Sequence, residues 1–487
     1  MLDSARAVAV VLFTSCAAAA CGGKIAGEAP DGAGAAETSV GADAALADTG
    51  VDVSSLPDSS RPETERVDTA IDTAGDTGDL DTALPDTDLP DTTPAEDTAT
   101  GDTGALDTGV DFDALAYPAA HPAAPQVVAA GGPVLGSPRL VPIVFDGDTW
   151  SSQLGAFTDT FASSAAADYW KATTAEYGVG PLRSAPLITL HETPPATLTN
   201  DEILTWLAGK LDGAHELGKP DPSAIYTIFY PSTTKITLAP GYESCVQFGA
   251  YHEEATAPTG EKVAYAVIPR CPPFTAALTD FEELTSSTSH EWIEAVTDPF
   301  GQSTPAYAMT DPDTLVWNLW PLGEVGDLCA QESAAFFKAS FGYYVQRTWS
   351  NAAAAASHDP CVPAAGGEAY FNSAPVLDET VSIDVGTGPT PTKGVKIPVG
   401  TKKTIDVDLF SDAPTSGPWT VQAVDVERLL TGTPTLRFSF DRTTGVNGDK
   451  LRLTIEVLAA GSNGGSEFML RSRLGATRHE WFGWVAN

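Results

Sequence analysis

The sequence predicts a chain of three parts: a disordered acidic N-terminal segment, an α/β domain and a C-terminal all-β domain. Acidic residues are concentrated before residue 117. Apolar runs alternate with helical patterns over residues 117–368, and apolar residues recur at every second position over residues 372–487. The whole chain has 487 residues and a net charge of −39, with 26 Lys plus Arg against 65 Asp plus Glu. Such an excess of negative charge argues against binding to nucleic acid.

Residues 1–20 are typical of a bacterial export signal. The segment from Ala7 to Ala20 is a 14-residue apolar run, too short to span a bilayer, and Cys21 follows it directly. This pattern favours a lipoprotein-type signal peptide, cleaved before Cys21 with lipid attached to that cysteine, over an ordinary secretory signal. Both alternatives place the mature protein outside the cytoplasm. In the first it is lipid-anchored to the bacterial cell envelope, and it contacts the membrane through the lipid only.

Residues 21–116 form an Asp/Thr-rich segment that we expect to be a disordered tether. Within it, residues 25–116 contain 23 Asp plus Glu, two Arg and a single aromatic residue, Phe112. A segment of this composition cannot bury enough apolar surface to offset the entropy lost on ordering. It lacks the fixed spacing of carboxylates that calcium-binding repeats require.

Four cysteines remain once the signal and the lipidated residue are set aside: Cys245, Cys271, Cys329 and Cys361. An even number of cysteines in an oxidising compartment predicts disulfides. Three pairings are possible, and we favour joining neighbours in sequence because they close the shortest loops. The alternative, a cysteine-ligated metal, has no Cys-x-x-Cys pair to support it.

The central part, residues 117–368, alternates predicted strands with predicted helices, which is typical of an α/β domain. Apolar runs predict strands at Leu140–Phe145, Pro186–Leu190, Ala224–Tyr230 and Lys262–Ile268. Helical patterns cover Gln153–Ala165, Asn200–Ala214 and Ala276–Val296.

The third of these helices carries the candidate chemistry. Five of the seven histidines precede a glutamate, so a His-Glu dipeptide alone does not indicate a functional site. Only His290 lies in helix-forming sequence with a second ligand-type residue, Glu294, four positions on. These two side chains project from one helical face, with Glu291 one step round. His252 lies between two cysteines; approach to the same site is one alternative, but we expect a histidine in a loop beside a disulfide.

The spacing is that of the zinc-peptidase helix His-Glu-x-x-His, with Glu294 in place of the second histidine. His290 and Glu294 are therefore predicted zinc ligands, and Glu291 is the predicted general base for attack on a peptide carbonyl. Glu324 is the predicted third ligand by resemblance to zinc peptidases of the thermolysin type, in which a Glu from a later helix completes the site. Asp327 is predicted to orient His290.

The same residues resemble the phosphate-induced, Exordium-type extracellular proteins and related bacterial secreted proteins. The resemblance covers roughly residues 125–365, and its specific parts run from Ser289 to Pro299 and from Glu324 to Cys329. It implies a metallopeptidase-like α/β fold, an extracellular protein associated with the cell wall, and one site that contains His290, Glu294, Glu324 and Asp327. It implies no defined enzymatic activity.

The C-terminal part, residues 372–487, has the period-two pattern of strands separated by Gly-rich turns. About seven short strands at this spacing predict an Ig-like β-sandwich. It contains no cysteine and no cluster of ligand residues, so its predicted role is a spacer or a surface-binding module.

Two functional hypotheses follow. The first is a surface-anchored, zinc-dependent, peptidase-like hydrolase that acts on a peptide or cell-wall polymer. The second is a non-catalytic surface protein that binds wall glycan or protein on the same fold, and the missing second histidine of the helix favours it slightly.

Overall fold

The computed structural model of the protein describes residues 116–332, 334–386 and 388–487. The predicted signal peptide, the lipid attachment at Cys21 and the acidic tether as far as residue 115 lie outside the described residues. The described part is mostly β-sheet with few helices. None of its helices combines the length and the apolar character needed to cross a membrane.

The helices of the described part are numbered in chain order. They are α1 Ser151–Phe161, α2 Ala167–Thr174, α3 Asn200–Lys210, α4 Asp280–Thr297, α5 Asp327–Ala330, α6 Asn351–Ala355 and α7 Val426–Thr431. Three short 3-10 turns cover Ala175–Tyr177, Pro312–Asn318 and Ser462–Gly464.

The first fifteen strands belong to the N-terminal half of the described chain. They are β1 Val127–Val128, β2 Arg139–Phe145, β3 Arg183–Ser184, β4 Ile188–Leu190, β5 Thr197–Thr199, β6 Ala224–Tyr230, β7 Lys235–Ala239, β8 Tyr242–Glu243, β9 Tyr251–Thr256, β10 Lys262–Pro269, β11 Met309–Thr310, β12 Phe336–Lys338, β13 Tyr344–Gln346, β14 Thr348–Trp349 and β15 Cys361–Val362.

The remaining ten strands belong to the C-terminal half. They are β16 Phe371–Pro375, β17 Glu379–Asp384, β18 Pro389–Lys396, β19 Lys402–Ser411, β20 Trp419–Asp425, β21 Leu436–Phe440, β22 Thr444–Gly445, β23 Lys450–Val457, β24 Gly465–Leu474 and β25 Thr477–Ala486.

A mixed six-stranded sheet forms the centre of the N-terminal half. Its order is β3-β2-β6-β10-β9, with β4 also on β2. β2, β3, β4, β6 and β10 run parallel, and β9 is an antiparallel edge strand on β10. All seven residues of β6 are buried, because apolar side chains cover both faces of the sheet.

Helices lie on both faces of this sheet. Alternate strand residues such as Ile225 and Phe229 join the core that contains α1 and α4, where Trp292 stacks on Phe157 at a centroid distance of 5.2 Å. The intervening residues face α3, which contributes Ile203 and Leu207. The buried helix α4 is thereby held directly against β10 and β9.

The predicted central strands coincide with β2, β4, β6 and β10 to within two residues at each end. The helix predicted to begin at Ala276 begins instead at Asp280, because Thr279 and Glu282 form a capping box there. The loop predicted around His252 is wrong, since β9 covers Tyr251–Thr256. Its apolar residues are too few to distinguish an edge strand from a loop.

The C-terminal half consists of two packed sheets. One has four antiparallel strands in the order β16-β19-β23-β21, and the other has six in the order β17-β18-β25-β24-β20-β22. Trp419 links them: its indole lies 5.2 Å from the ring of Phe371, and its Nε1 donates to Ser373 Oγ at 3.1 Å. The prediction of an all-β sandwich is confirmed at this coarse level.

The two halves share one continuous apolar core. Trp317, in the 3-10 turn before the candidate site, packs against Trp481 and Phe482 of β25 at centroid distances of 5.8 and 4.9 Å. The backbone nitrogen of Leu315 also donates to Thr392 Oγ1 of β18 at 3.3 Å. The segment that leads into Glu324 is therefore braced by the C-terminal sheets.

Candidate metal centre

Helix α4 carries three of the predicted site residues. Glu283 to Thr297 are all buried, so this part of the helix lies inside the protein rather than on its surface. His290 Nε2 lies 2.9 Å from Glu294 Oε2, one turn along the helix. Glu291 Oε1 lies 3.9 Å from the same nitrogen. Each of the three residues is only 2 % exposed.

The segment before α5 closes over this helix. The backbone nitrogens of Gly326 and Asp327 donate to Glu294 Oε1 at 3.1 and 3.0 Å. Gly326 is required for this approach, because a Cβ there would lie 2.7 Å from His290 Nδ1 and 2.8 Å from Glu294 Oε1. These contacts hold the Glu294 carboxylate with Oε2 directed at His290.

Gln346, at the end of β13, orients the imidazole of His290. Its Nε2 donates to the carbonyl oxygen of Gly326 at 2.6 Å, so its Oε1 faces His290 Nδ1 at 3.0 Å. Nδ1 then carries a ring proton, and Nε2 faces Glu294 Oε2, to which it donates when protonated and beside which it offers a lone pair to a metal when it is not. Two acceptors 2.9 Å apart require a proton or a metal ion between them.

Asp327 occupies a different position from the one predicted. Its Oδ1 lies 3.4 Å from His290 Nε2, on the side where a metal would bind, whereas Gln346 takes the orienting position at Nδ1. Asp327 is fully buried at 0 % exposure. Gln346 was missed because nothing in the sequence connects a glutamine 56 residues downstream with the helix.

For His252 the structure selects the alternative that the sequence disfavoured, an approach to the site. Its Nδ1 lies 3.2 Å from Glu291 Oε2 and 3.7 Å from Glu294 Oε2, and its Nε2 lies 4.0 Å from Glu324 Oε1. Its side chain is 9 % exposed. The structure therefore brings a strand histidine into the cluster that the sequence assigned to the helix and Glu324.

The electrostatics follow from this crowding. Burial lowers the pKa of His252, but the facing carboxylates, Glu324 first, outweigh burial and raise that pKa to about 10. Burial raises the pKa of Glu324 well above its usual value, and Glu294 reinforces the rise. For Glu294, burial is outweighed by His290, so its pKa is lowered. The buried carboxylates of the cluster are therefore stabilised by any positive charge placed among them.

Among the described residues, two triads bring potential ligand atoms within 4.8 Å of one another. One is His290 with Glu291 and Glu294, and the other is His252 with Glu294 and Glu324. The predicted ligand set of His290, Glu294 and Glu324 matches neither triad. Glu324 and Glu294 do belong to one triad, but its histidine is His252 and not His290.

A cleft of about 50 Å³ opens beside the cluster. It is lined by Leu238, Tyr251, His252, Glu253, Glu254, Glu291, Glu294, Asp298, Gly301, Gln302 and Glu324. A bound water needs about 10–15 Å³ of such space, so the cleft has room for an ion with several waters. Burial raises the pKa of Asp298.

Both disulfides join the cysteines that the sequence pairs. Cys245 bonds to Cys271 shortly before and after strands β9 and β10, and Cys329 bonds to Cys361 just beyond Asp327. They therefore fasten the segments that present His252 and Asp327.

No family model matches the chain, and no curated protein matches it. The solved structures that match include titin and twitchin chains. A chimeric titin Z1Z2 is 12 % identical over 24 % of this chain and 95 % of its own, with a TM-score of 0.14. Titin domain M7 is 10 % identical over 25 % of this chain and 97 % of its own, also with a TM-score of 0.14.

A twitchin kinase fragment from C. elegans, with kinase and immunoglobulin domains, is 17 % identical. The match covers 19 % of each chain, again with a TM-score of 0.14, so the present chain spans about a fifth of that relative. At such TM-scores these likenesses carry no argument about this protein.

Proposed function

We propose that the protein is a zinc-dependent, peptidase-like hydrolase that acts outside the cytoplasm. The observation that carries the proposal is the buried cluster around α4. Two imidazoles and the carboxylates of Glu291, Glu294 and Glu324 meet beside a cleft, and Glu294 Oε2 faces a histidine nitrogen at 2.9 Å. Buried perturbed groups in a cleft are typical of functional sites.

The donor set fits zinc. Zinc prefers imidazole nitrogen and carboxylate oxygen at about 2.0–2.2 Å, and the cluster offers only these donor types. The lone pair of His290 Nε2 already faces Glu294 Oε2, with its ring held by Gln346. When bound, zinc lowers the pKa of a water ligand and polarises a carbonyl.

In this proposal Glu291 is the residue that moves the proton. It is buried on the helix, and its Oε2 lies 3.2 Å from His252 Nδ1 at the wall of the cleft. From there it can accept a proton from a water in the cleft and pass it to a leaving amine. In the metal-free protein His252, whose pKa is raised, provides a positive charge beside that carboxylate.

The edge strand β9 favours an extended polymer as substrate. Within the described residues β9 pairs only with β10, so its other edge has unpaired backbone groups beside His252. Such an edge binds an extended peptide by adding a strand to the sheet. This feature supports a peptide over a glycan as substrate.

The envelope location is part of the same proposal. A lipid on Cys21 would anchor the chain to the bacterial cell envelope, and the two disulfides are those of a protein from an oxidising compartment. The similarity of residues 125–365 to Exordium-type proteins supports an extracellular role and a metallopeptidase-like fold. The C-terminal sandwich, of Ig-like type in this proposal, would be a spacer or surface-binding module.

The first experiment measures zinc by mass spectrometry in the full chain with its disulfides formed. We expect bound zinc in the wild type and less in His290→Ala. The matched control is His215→Ala, which changes an exposed histidine that also precedes a glutamate. Absence of zinc from the wild type, even after zinc is offered, would overturn the proposal.

The second experiment separates catalysis from binding. Glu291→Gln preserves the shape of the side chain, so we expect it to keep zinc while losing at least 100-fold in the rate of peptide cleavage. A wild type that binds zinc but cleaves no peptide in a library would favour the non-catalytic surface-protein hypothesis.

A further inference from the structure

The ligand atoms of the cluster fall on two sides of Glu294. On one side are His290 Nε2 at 2.9 Å from Glu294 Oε2 and, 3.4 Å from that nitrogen, Asp327 Oδ1. On the other side His252 Nδ1 lies 3.7 Å from the same oxygen, and Glu324 completes a triad of potential ligands with these two residues. Glu294 Oε1 is occupied by the two backbone donors, so Oε2 serves both sides.

A single ion cannot use all of these atoms. With bonds of about 2.0–2.2 Å, the ligands of one zinc ion lie no more than about 4.4 Å apart. In the part of the chain that is described, the two imidazoles belong to different triads, and Glu294 is the residue that the triads share. The triad of His252, Glu294 and Glu324, by contrast, keeps its potential ligand atoms within 4.8 Å of one another, which suits one ion after small side-chain movements.

The number of carboxylates in the cluster also favours two ions. Glu291, Glu294, Asp298, Glu324 and Asp327 are packed together with little or no exposure. One divalent ion compensates two of these five carboxylates when they are ionised, and two ions compensate four. Buried charge without compensation is costly, so a second ion stabilises carboxylates that would otherwise need a proton.

Asp298 is an independent sign that a cation is needed on the cleft side. It is 1 % exposed, and its Oδ1 accepts from the backbone nitrogen of Ala306 at 2.7 Å. Its Oδ2 has no hydrogen-bond partner in the part of the chain that the structure describes. Asp298 lines the same cleft as His252 and Glu324.

We propose that the centre binds two divalent ions that share Glu294. The inner ion is held by His290 and Glu294, with Asp327 Oδ1 on the same side, 3.4 Å from His290 Nε2. The outer ion faces the cleft and is held by His252, Glu294 and Glu324. The inference rests on the proposed function for the existence of the inner site, and it adds the outer one.

The pair of ions explains the position of Glu291. It directs Oε1 at His290 and Oε2 at His252, at 3.9 and 3.2 Å, and so faces both ion positions. From there it can accept the proton of a water between them. Two-metal hydrolytic centres hold their ions about 3.5–4 Å apart, a separation that one shared carboxylate oxygen permits.

The test counts ions. The full chain with intact disulfides is stripped with a chelator, reloaded with excess zinc, desalted and analysed by mass spectrometry. We expect two zinc per chain in the wild type and in His215→Ala, and one in His252→Ala. Glu324→Gln, which keeps the shape of the side chain, is expected to lose the same single equivalent.

A second readout does not depend on catalysis. Loading the chain with Mn²⁺ is expected to give the electron paramagnetic resonance signal of a coupled pair in the wild type and of an isolated ion in His252→Ala. Circular dichroism establishes that each variant is folded. Saturation of the wild type at one ion overturns this inference and leaves the proposed function standing, whereas saturation at zero overturns both.

Discussion

Replacing Gly326 with alanine tests whether the segment before α5 closes on the helix as the structure shows. The new Cβ would lie 2.7 Å from His290 Nδ1, 2.8 Å from Glu294 Oε1 and 2.9 Å from His290 Cε1. Ordinary contact begins at 3.4 Å, so the atoms must separate by about 0.7 Å. Both side chains belong to the buried part of α4, so they have little space to move away from the new Cβ.

The expected magnitude follows from that displacement. Metal sites tolerate changes of only about 0.2 Å in ligand position, and loss of a supporting contact lowers metal affinity about 10–100-fold. Overpacking of the buried segment should also lower the free energy of unfolding by about 1–3 kcal/mol. The hydrogen bond from Gly326 N to Glu294 Oε1 weakens in the same movement.

The assay has two parts and a matched control. Zinc affinity is measured by competition with a chelating dye, and stability by urea unfolding of the metal-free protein. Gly209→Ala makes the same chemical change in α3, where a Cβ meets nothing within 4 Å, and should stabilise by about 0.5–1 kcal/mol. If Gly326→Ala matched the wild type in both measurements, the close approach of this segment to His290 and Glu294 would be refuted.

Three further predictions follow. Gln346→Leu removes the acceptor at His290 Nδ1, so zinc should bind about 10–100-fold more weakly in the same dye competition; unchanged affinity would exclude an orienting role. Burial raises the pKa of Glu283 to about 7 from 4.5, so the folded state binds more protons than the unfolded state between these values. Stability should therefore fall as pH rises from about 4.5 to 7, by about 3 kcal/mol from this group, and Glu283→Gln should remove that part of the slope in urea unfolding without metal. Replacing Cys329 and Cys361 together by alanine opens a link across 32 residues and should cost about 3–4 kcal/mol in the same measurement; a loss below 1 kcal/mol would contradict the estimate.

The sequence alone was sufficient where a local pattern carries the information. The run Ala224–Tyr230 predicts a strand buried on both faces, and β6 has these bounds and is buried throughout. The four-residue spacing of His290 and Glu294 places them on one face because the helical repeat is local, and their side chains meet at 2.9 Å. The short-loop argument for the disulfides likewise selects the pairs that the structure contains.

Where residues from distant segments meet, only the tertiary structure decided. His252 reaches the cluster because β9 pairs with β10 at the edge of the sheet, and Gln346 reaches His290 because β13 packs on α4. Such meetings depend on long-range packing, which leaves no periodicity in the sequence. Sequence therefore determined the helix and its ligand-type residues, whereas the fold decided which imidazoles and carboxylates face one another.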